Sequence, residues 1–161
     1  NMITLFIDTS CSDVSIALLK DGKLLSKKIE SIPNEHSKYA VSYVDDVLND
    51  AGISPKDVNN IMVVNGPGSF TGIRVGVTTA KVIAWGLKKE IVPISELELL
   101  ATTETDKKYI VPYIDARRDY VYAGMYDNNL DKVFDDIAAS CDLFIKNNFN
   151  MAMNKYNARK N

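Results

Sequence analysis

The sequence has few of the residues that build metal centres and disulfide frameworks. It contains two cysteines, Cys11 and Cys141, and a single histidine, His36. Two cysteines without metal-type spacing are too few for a disulfide scaffold, and one histidine cannot form a histidine-paired metal site. We therefore expect no metal site, and we expect both thiols to be reduced, as is usual in the cytosol.

Long apolar runs and a strong charge of one sign are also missing. Arg74 and Lys81 interrupt the most apolar segment, so no stretch is predicted to cross a bilayer. The first apolar run reaches Asp8 too early for a secretory signal peptide. The formal net charge is −2, which gives no global attraction to nucleic acid. With 46% hydrophobic and 25% charged residues, the composition predicts a soluble globular protein, which we place in the cytoplasm.

What the chain does have is a glycine-rich turn between a predicted strand and a long apolar helix. The turn spans residues 65–72 and contains Gly66, Pro67, Gly68 and Gly72, and the helix after it ends near Leu87. Such a unit can direct helix N–H groups at an anion, although its spacing matches neither the dinucleotide fingerprint nor the P-loop. A tight turn that packs the helix close to its strand is an equally good interpretation.

Small residues recur every four positions along this helix, at Gly72, Gly76, Ala80 and Ala84. A stripe of this kind lets another backbone come unusually near. Other apolar residues, including Val82, lie elsewhere around the helix, and a helix that is apolar on most sides must be covered on most sides. We infer that one side packs on the chain's own sheet and another meets a second polypeptide; a fully intramolecular core helix remains the alternative.

The remaining pattern predicts two units. The first, residues 1–104, has three antiparallel strands with a hairpin turn at Asp21-Gly22, a helix over residues 35–51, the central strand–helix unit, a short strand and a helix to about Thr103. Strand patterns over residues 109–114 and 120–126 begin a second, apparently incomplete lobe, residues 105–161. Residues 134–145 are compatible with a helix, and no strand pattern after Val133 completes the second sheet.

Polar residues at two strand ends are candidates for chemistry. Asp8, Thr9 and Ser10 follow the first strand, and Asp115 stands at the tip of a later one. A carboxylate there can hold hydrated Mg²⁺ beside phosphates, with the hydroxyls binding phosphate oxygens. A turn in which Asp8 and Ser10 hydrogen-bond the local backbone is the favoured interpretation.

Four segments together resemble the bacterial TsaB (YeaZ) family, of the glycoprotease-like superfamily. They are Leu5-Phe6-Ile7-Asp8-Thr9-Ser10, Glu35-His36-Ser37, Gly66-Pro67-Gly68-Ser69-Phe70-Thr71-Gly72-Ile73-Arg74-Val75-Gly76 and Ile114-Asp115-Ala116-Arg117-Arg118. The match covers roughly residues 2–126. It implies an α/β fold of the actin/Hsp70/sugar-kinase type, with ribonuclease-H-like lobes and a mixed sheet flanked by helices.

The resemblance also implies a function. Such proteins are non-catalytic subunits of the bacterial complex that makes tRNA N6-threonylcarbamoyladenosine. They support a TsaD-like catalytic subunit, work with a TsaE-like ATPase, reach tRNA indirectly and form homodimers in isolation. The chain would need no cofactor of its own, since ATP is used by partner subunits, and a nucleotide at the subunit interface is left open. Where the catalytic relative has two metal-binding histidines, residues 94–99 contain none, so we expect a protein that is not an enzyme on its own.

The resemblance assigns roles to particular residues as well. The implied interface comprises Gly72, Ile73, Gly76, Ala80, Ala84, His36, Tyr39 and Tyr43. The implied vestigial nucleotide or phosphate site comprises Asp8, Thr9, Ser10 and Asp115. The alternative function is an Mg-ATP-dependent phosphotransferase or hydrolase of the same fold that uses Asp8 and Asp115.

Overall fold

The chain forms two compact units, of which the first is residues 1–95 and the second begins at Glu96. The computed structural model describes residues 1–32, 35–104 and 106–140, the last seven of these by their backbone only. The sequence places the boundary after residue 104, whereas the compact units divide before the third helix. Within the described ranges, no helix combines the length and the hydropathy needed to span a bilayer.

The first unit is built on a five-stranded mixed sheet in the order β3-β2-β1-β4-β5. β1 pairs antiparallel with β2, and β2 with β3, whereas β1, β4 and β5 run parallel. Its elements are β1 (Ile3–Asp8), β2 (Asp13–Lys20), β3 (Lys23–Ser31), α1 (His36–Asp50), β4 (Asn60–Val64), α2 (Phe70–Leu87) and β5 (Glu90–Ile94), with a short 3₁₀ turn at Pro55–Asp57.

Local sequence explains the first three strands. In β2, Val14, Ile16 and Leu18 are buried and alternate with more exposed residues, as a strand with one covered face requires. Asp21 and Gly22 both have positive φ, at 50° and 77°, which is the geometry of a two-residue hairpin turn. The predicted antiparallel meander is therefore confirmed.

Helices α1 and α2 supply one side of the core of this unit. Ser69 caps α2 by accepting a hydrogen bond from Gly72 N at 3.2 Å, and Lys88 ends it in the left-handed conformation. The core joins the two helices to β1, β2 and β4, and it contains Ile3, Leu5, Ile7, Val14, Ile16, Leu18, Tyr43, Val44, Val47, Leu48, Val58, Ile61, Val63, Ala80 and Ala84.

The second unit starts with α3 (Glu96–Ala101) and continues with β6 (Tyr109–Ile110), β7 (Tyr113–Arg117), β8 (Tyr120–Asp127) and β9 (Lys132–Ser140). β8 is central in the antiparallel sheet, because β6 and β7 pair along one of its edges and β9 along the other. α3 belongs to this unit because Leu97 and Ala101 share a buried cluster with Ile110 and Tyr126.

β9 corrects two expectations about the end of the chain. The segment expected to be compatible with a helix over residues 134–145 is a strand as far as Ser140, and this strand adds to the second sheet. The prediction was wrong because the pairing of β9 with β8 depends on a neighbouring strand and leaves only a weak local pattern. Residues 141–161, including the rest of that expected helix, lie outside the described residues.

Candidate protein-binding site on helices α1 and α2

The turn before α2 is fastened to the end of β1 by two hydrogen bonds. The Thr9 hydroxyl donates to the Gly72 carbonyl oxygen at 2.6 Å, and Ser69 N donates to the Ser10 carbonyl oxygen at 2.7 Å. Thr9 and Ser10 are 1% and 2% exposed, so both contacts are shielded from water. The start of α2 is therefore held in one position against the sheet.

The glycines of the motif are needed because the two segments approach so closely. A Cβ atom at Gly72 would lie 2.0 Å from the Thr9 carbonyl oxygen, and one at Gly76 would lie 2.4 Å from the Thr9 hydroxyl oxygen. At Gly68 the Cβ would lie 2.7 Å from the Ser10 carbonyl oxygen. These separations are too short for any real carbon–oxygen contact. The close-packed turn is thus the interpretation that the structure supports.

The residues after β1 form a local turn and not an open phosphate site. Asp8 Oδ1 accepts hydrogen bonds from Ser10 N at 2.8 Å and from the Ser10 hydroxyl at 2.7 Å. The favoured interpretation of this segment, a local turn, is confirmed. The Thr9 and Ser10 hydroxyls already donate to protein oxygens, so they are not available to bind a phosphate. Asp115 belongs to the second unit, where its Oδ1 accepts from Arg117 N at 2.7 Å.

No candidate metal centre appears among the side chains that the structure describes. In that part of the chain no three histidine, cysteine, aspartate or glutamate residues are grouped so that they could hold an ion. His36 instead has its Nε2 atom 2.9 Å from the Cys11 carbonyl oxygen, which joins the start of α1 to the loop between β1 and β2.

The small-residue stripe of α2 is buried within the chain itself. Gly72, Gly76, Ala80 and Ala84 are the buried residues of this helix, and Ala80 and Ala84 are 0% and 4% exposed within the core. Assigning these four residues to an interface was therefore wrong, because their small size serves the close approach of α2 to β1. The inference that one side of α2 packs on the chain's own sheet is confirmed.

Ile73 and the tyrosines of α1 also have mainly internal contacts. Ile73 is half-buried, and its Cδ1 atom lies 3.1 Å from the point that a Cβ of Gly66 would occupy, so it fills the space under the turn. Tyr43 is 9% exposed and belongs to the core, which contradicts its assignment to an interface. Tyr39, half-buried, stacks on Tyr43 with ring centroids 5.7 Å apart.

Tyr43 also helps to hold α1 against β3. The Lys28 ammonium lies 4.3 Å from the centre of the Tyr43 ring and forms a hydrogen-bonded ion pair with Asp46. The hydrogen bond that Lys28 donates to Asp46 raises the pKa of Lys28 above its ordinary value. These contacts orient α1 so that its opposite side faces outward.

That outward side, together with the adjoining side of α2, forms an apolar groove. Val41 is 56% exposed, Phe70 75% and Val82 64%. The groove has a volume of about 550 Å³, and the residues that define it are Ser37, Val41, Phe70, Thr71, Arg74, Val75, Thr78, Thr79, Val82 and Ile83. A smaller recess of about 360 Å³ between the same two helices shares Val41, Val82 and Ile83 with it. We call this surface the α1–α2 groove.

The α1–α2 groove has the character of a protein-binding surface. Apolar side chains of both helices lie beside one another in it, together with polar residues, Ser37, Arg74 and three threonines of α2, which is typical of interaction sites. The interface predicted from the sequence lies on the same two helices, but most of its residues are buried in the structure. Val82 carried the useful signal, since it is a large apolar residue away from the small-residue stripe. Val41 and Phe70 were missed.

Comparison with known proteins agrees with this architecture. A family model described as TsaD, tRNA N6-adenosine threonylcarbamoyltransferase, matches residues 24–158. The tRNA threonylcarbamoyladenosine biosynthesis protein TsaB of Bacillus subtilis is 41% identical over 126 residues, which are 78% of this chain and 55% of that protein. The structure of YeaZ from Pseudomonas aeruginosa superposes with a TM-score of 0.75 at 30% identity, covering 87% of this chain and 67% of that one. The chain belongs to the TsaB family.

Similarity to the transferases of the wider family is weaker. The tRNA N6-adenosine threonylcarbamoyltransferase of Prosthecochloris aestuarii is 33% identical over 111 residues, which are 60% of this chain and 32% of that enzyme. The chain spans about half the length of the curated TsaB relatives it matches, 55% and 56% for the first two.

A more distant structure supports the fold alone. Component A of (R)-2-hydroxyglutaryl-CoA dehydratase from Acidaminococcus fermentans superposes over 86% of this chain with a TM-score of 0.52 at 15% identity. The expected mixed α/β fold of the actin/Hsp70 type is confirmed, with part of the second lobe covered by the chain.

Proposed function

We propose that the chain is a non-catalytic subunit of the bacterial assembly that makes tRNA N6-threonylcarbamoyladenosine, and that it binds and supports a TsaD-like catalytic subunit in the cytoplasm. The observation that carries this proposal is the α1–α2 groove. It brings the exposed side chains of Val41, Phe70 and Val82 together on two helices, above a buried core. The names of the TsaB relatives supply the pathway.

A related chain is the partner that suits this groove best. A TsaD-like subunit matches the same family model as this chain, so it brings a comparable helix pair, and two helix pairs can pack as a bundle around a shared apolar seam. Burial of each exposed valine or phenylalanine then contributes roughly 1.5–3 kcal/mol. The same surface would support a homodimer in isolation, so the two assemblies would compete.

A supporting role without chemistry agrees with the way the residues after β1 are used. The Thr9 hydroxyl bonds the Gly72 carbonyl and the Ser10 hydroxyl bonds Asp8, and residues 94–99 contain no histidine. In this proposal ATP is consumed by the partner subunits, including a TsaE-like ATPase.

The test combines a binding measurement with a modification assay. The chain is mixed with the TsaD-like protein of the same organism and analysed by size-exclusion chromatography with light scattering. We expect a heterodimer that is lost in the double variant Val41→Glu/Val82→Glu, because two carboxylates would have to be buried in the seam. A reconstituted tRNA modification assay should require the wild-type chain and fail with this variant.

The matched control is Leu24→Glu, which adds a carboxylate at a site on β3 that is 53% exposed and away from the groove. It should leave the heterodimer intact. If the heterodimer still forms with Val41→Glu/Val82→Glu, the TsaD-like subunit binds another surface of the chain and not the α1–α2 groove. Modification that proceeds equally well without the chain would contradict the proposed function itself.

A further inference from the structure

The C-terminal end of α2 carries an exposed patch that lies apart from the residues that define the α1–α2 groove. Trp85 is 86% exposed, more than any other large hydrophobic side chain in the described part of the chain. Lys81 lies four residues before it, on the same side of the helix, and Lys88 follows at the left-handed residue that ends α2. With Lys89 they line an open depression of about 700 Å³. We call these four residues the lysine–tryptophan patch.

The charge around this patch is concentrated. No aspartate or glutamate occurs between Val58 and Lys89, whereas the whole chain has a net charge of −2. The nearest carboxylate in the sequence is Glu90, at the start of β5. Among the described residues, none of the three patch lysines takes part in an ion pair. The patch is therefore a local excess of positive charge around an exposed indole.

Helix capping explains only part of this arrangement. Lysines near a helix C-terminus offset the partial negative charge of the last carbonyl groups, which accounts for Lys88 and Lys89. Lys81 lies seven residues before Lys88, about 10 Å along the axis, and the dipole effect is confined to the last turn. Capping also gives no reason for an indole that is almost fully in water. A ligand that is both anionic and aromatic accounts for all four residues.

We propose that the lysine–tryptophan patch binds tRNA directly, with Trp85 stacked on an unpaired base and the lysines in contact with the flanking phosphates. Unpaired bases in RNA loops are commonly held by aromatic stacking beside cationic side chains. An acidic protein surface would pair with the lysines but need not present a planar group to the indole, whereas every unpaired base does. This inference rests on the proposed function, which makes tRNA the substrate of the assembly, and it adds a direct contact where the sequence predicted only an indirect one.

The first measurement uses the fact that Trp85 is the only tryptophan of the chain. Unlabelled bacterial tRNA is titrated into the chain while the tryptophan emission is recorded. A base stacked on the indole should quench the emission in proportion to binding. Heparin, a polyanion without bases, should bind the lysines without that quenching. Binding of tRNA without quenching would overturn the stacked geometry, and no binding of tRNA would overturn the proposal.

The second measurement compares variants by fluorescence anisotropy with labelled tRNA. Trp85→Ala should lower affinity about tenfold, within the range measured for loss of one stacked base, and Trp85→Phe should recover most of it. Lys81→Glu/Lys88→Glu should lower affinity at least tenfold and reduce the slope of log affinity against log salt by roughly one to two. The control Lys23→Glu/Lys27→Glu makes the same charge change at two exposed positions on β3 and should alter affinity less than about twofold.

Parallel chromatography separates this inference from the proposed function. If the patch variants still form the heterodimer and lose tRNA affinity, both proposals stand. If they form it and keep full tRNA affinity, the patch is not a tRNA contact and the proposed function is unaffected. If they lose the heterodimer and keep tRNA affinity, the patch contacts the partner protein and the inference is wrong. If the wild-type chain forms no heterodimer, the proposed function fails, whatever happens to tRNA.

Discussion

The two sides of helix α2 differ in the size of their side chains and in what covers them. The side facing β1 carries only glycine and alanine at its buried positions, residues 72, 76, 80 and 84. The opposite side exposes Phe70, Val82 and Trp85 to solvent. Small residues therefore mark the contact that the chain makes with itself, and large apolar residues mark the surface that is left for another molecule.

Among the variants that test this comparison, Gly76→Leu should have the largest effect. A side chain at this position must displace the Thr9 hydroxyl, which is 2.4 Å from the required Cβ, so we expect a loss of about 3 kcal/mol or more in the free energy of unfolding. Chemical denaturation followed by circular dichroism measures the change. If the variant instead keeps near wild-type stability and only fails to dimerise, the small-residue stripe is an interface after all.

Thr9→Val should have a smaller effect of the same kind. Valine keeps the shape of threonine, but it leaves the buried Gly72 carbonyl without the hydroxyl that donates to it at 2.6 Å. We expect a loss of about 1–3 kcal/mol in the free energy of unfolding, measured by the same denaturation experiment. Thr9→Ser, which keeps the hydroxyl, should retain the part of the stability that comes from this hydrogen bond. A larger loss in Thr9→Ser than in Thr9→Val would show that the methyl group, and not the hydroxyl, holds the contact.

Gly86→Ala should have the smallest effect, with the opposite sign. A Cβ at Gly86 meets nothing within 4 Å, and the residue lies within α2, so alanine should stabilise the chain by up to about 1 kcal/mol through its helix preference. Gly22 has equally open surroundings but a φ of +77°, and Gly22→Ala should destabilise the chain. If Gly86→Ala destabilises the chain, the surroundings of Gly86 on the outer side of α2 are less open than the structure shows.

Sequence patterns were sufficient for elements that are defined locally. The Asp21-Gly22 turn fixes the first hairpin, and the apolar alternation of β2 identifies its buried face. The bounds of α1, predicted as residues 35–51, were off by one residue at each end. These features depend on neighbours within a few positions, which is why periodicity and turn chemistry are informative about them.

Other features depend on contacts between distant residues. Periodicity shows that Gly72 and Gly76 share a face of α2, but only the position of Thr9, more than sixty residues earlier, shows what covers that face. β9 becomes a strand through its pairing with β8. The beginning of the second unit follows from the packing of Leu97 and Ala101 against Ile110 and Tyr126. None of these relations has a local signature.

The fastening of Thr9 to Gly72 and of Ser69 to Ser10 has a consequence for how this chain tolerates change. Because hydrogen bonds at the first turn fix the position of α2 against β1, the exposed side of the helix contributes little to folding. A library randomised along α2 and selected for solubility alone would retain residues 72 and 76 while positions 70, 82 and 85 drifted. Selection for complex assembly should instead retain an apolar residue at position 82 first. Comparison of the two screens would then separate the residues of α2 that are needed for folding from those that are needed for binding, on opposite sides of the helix.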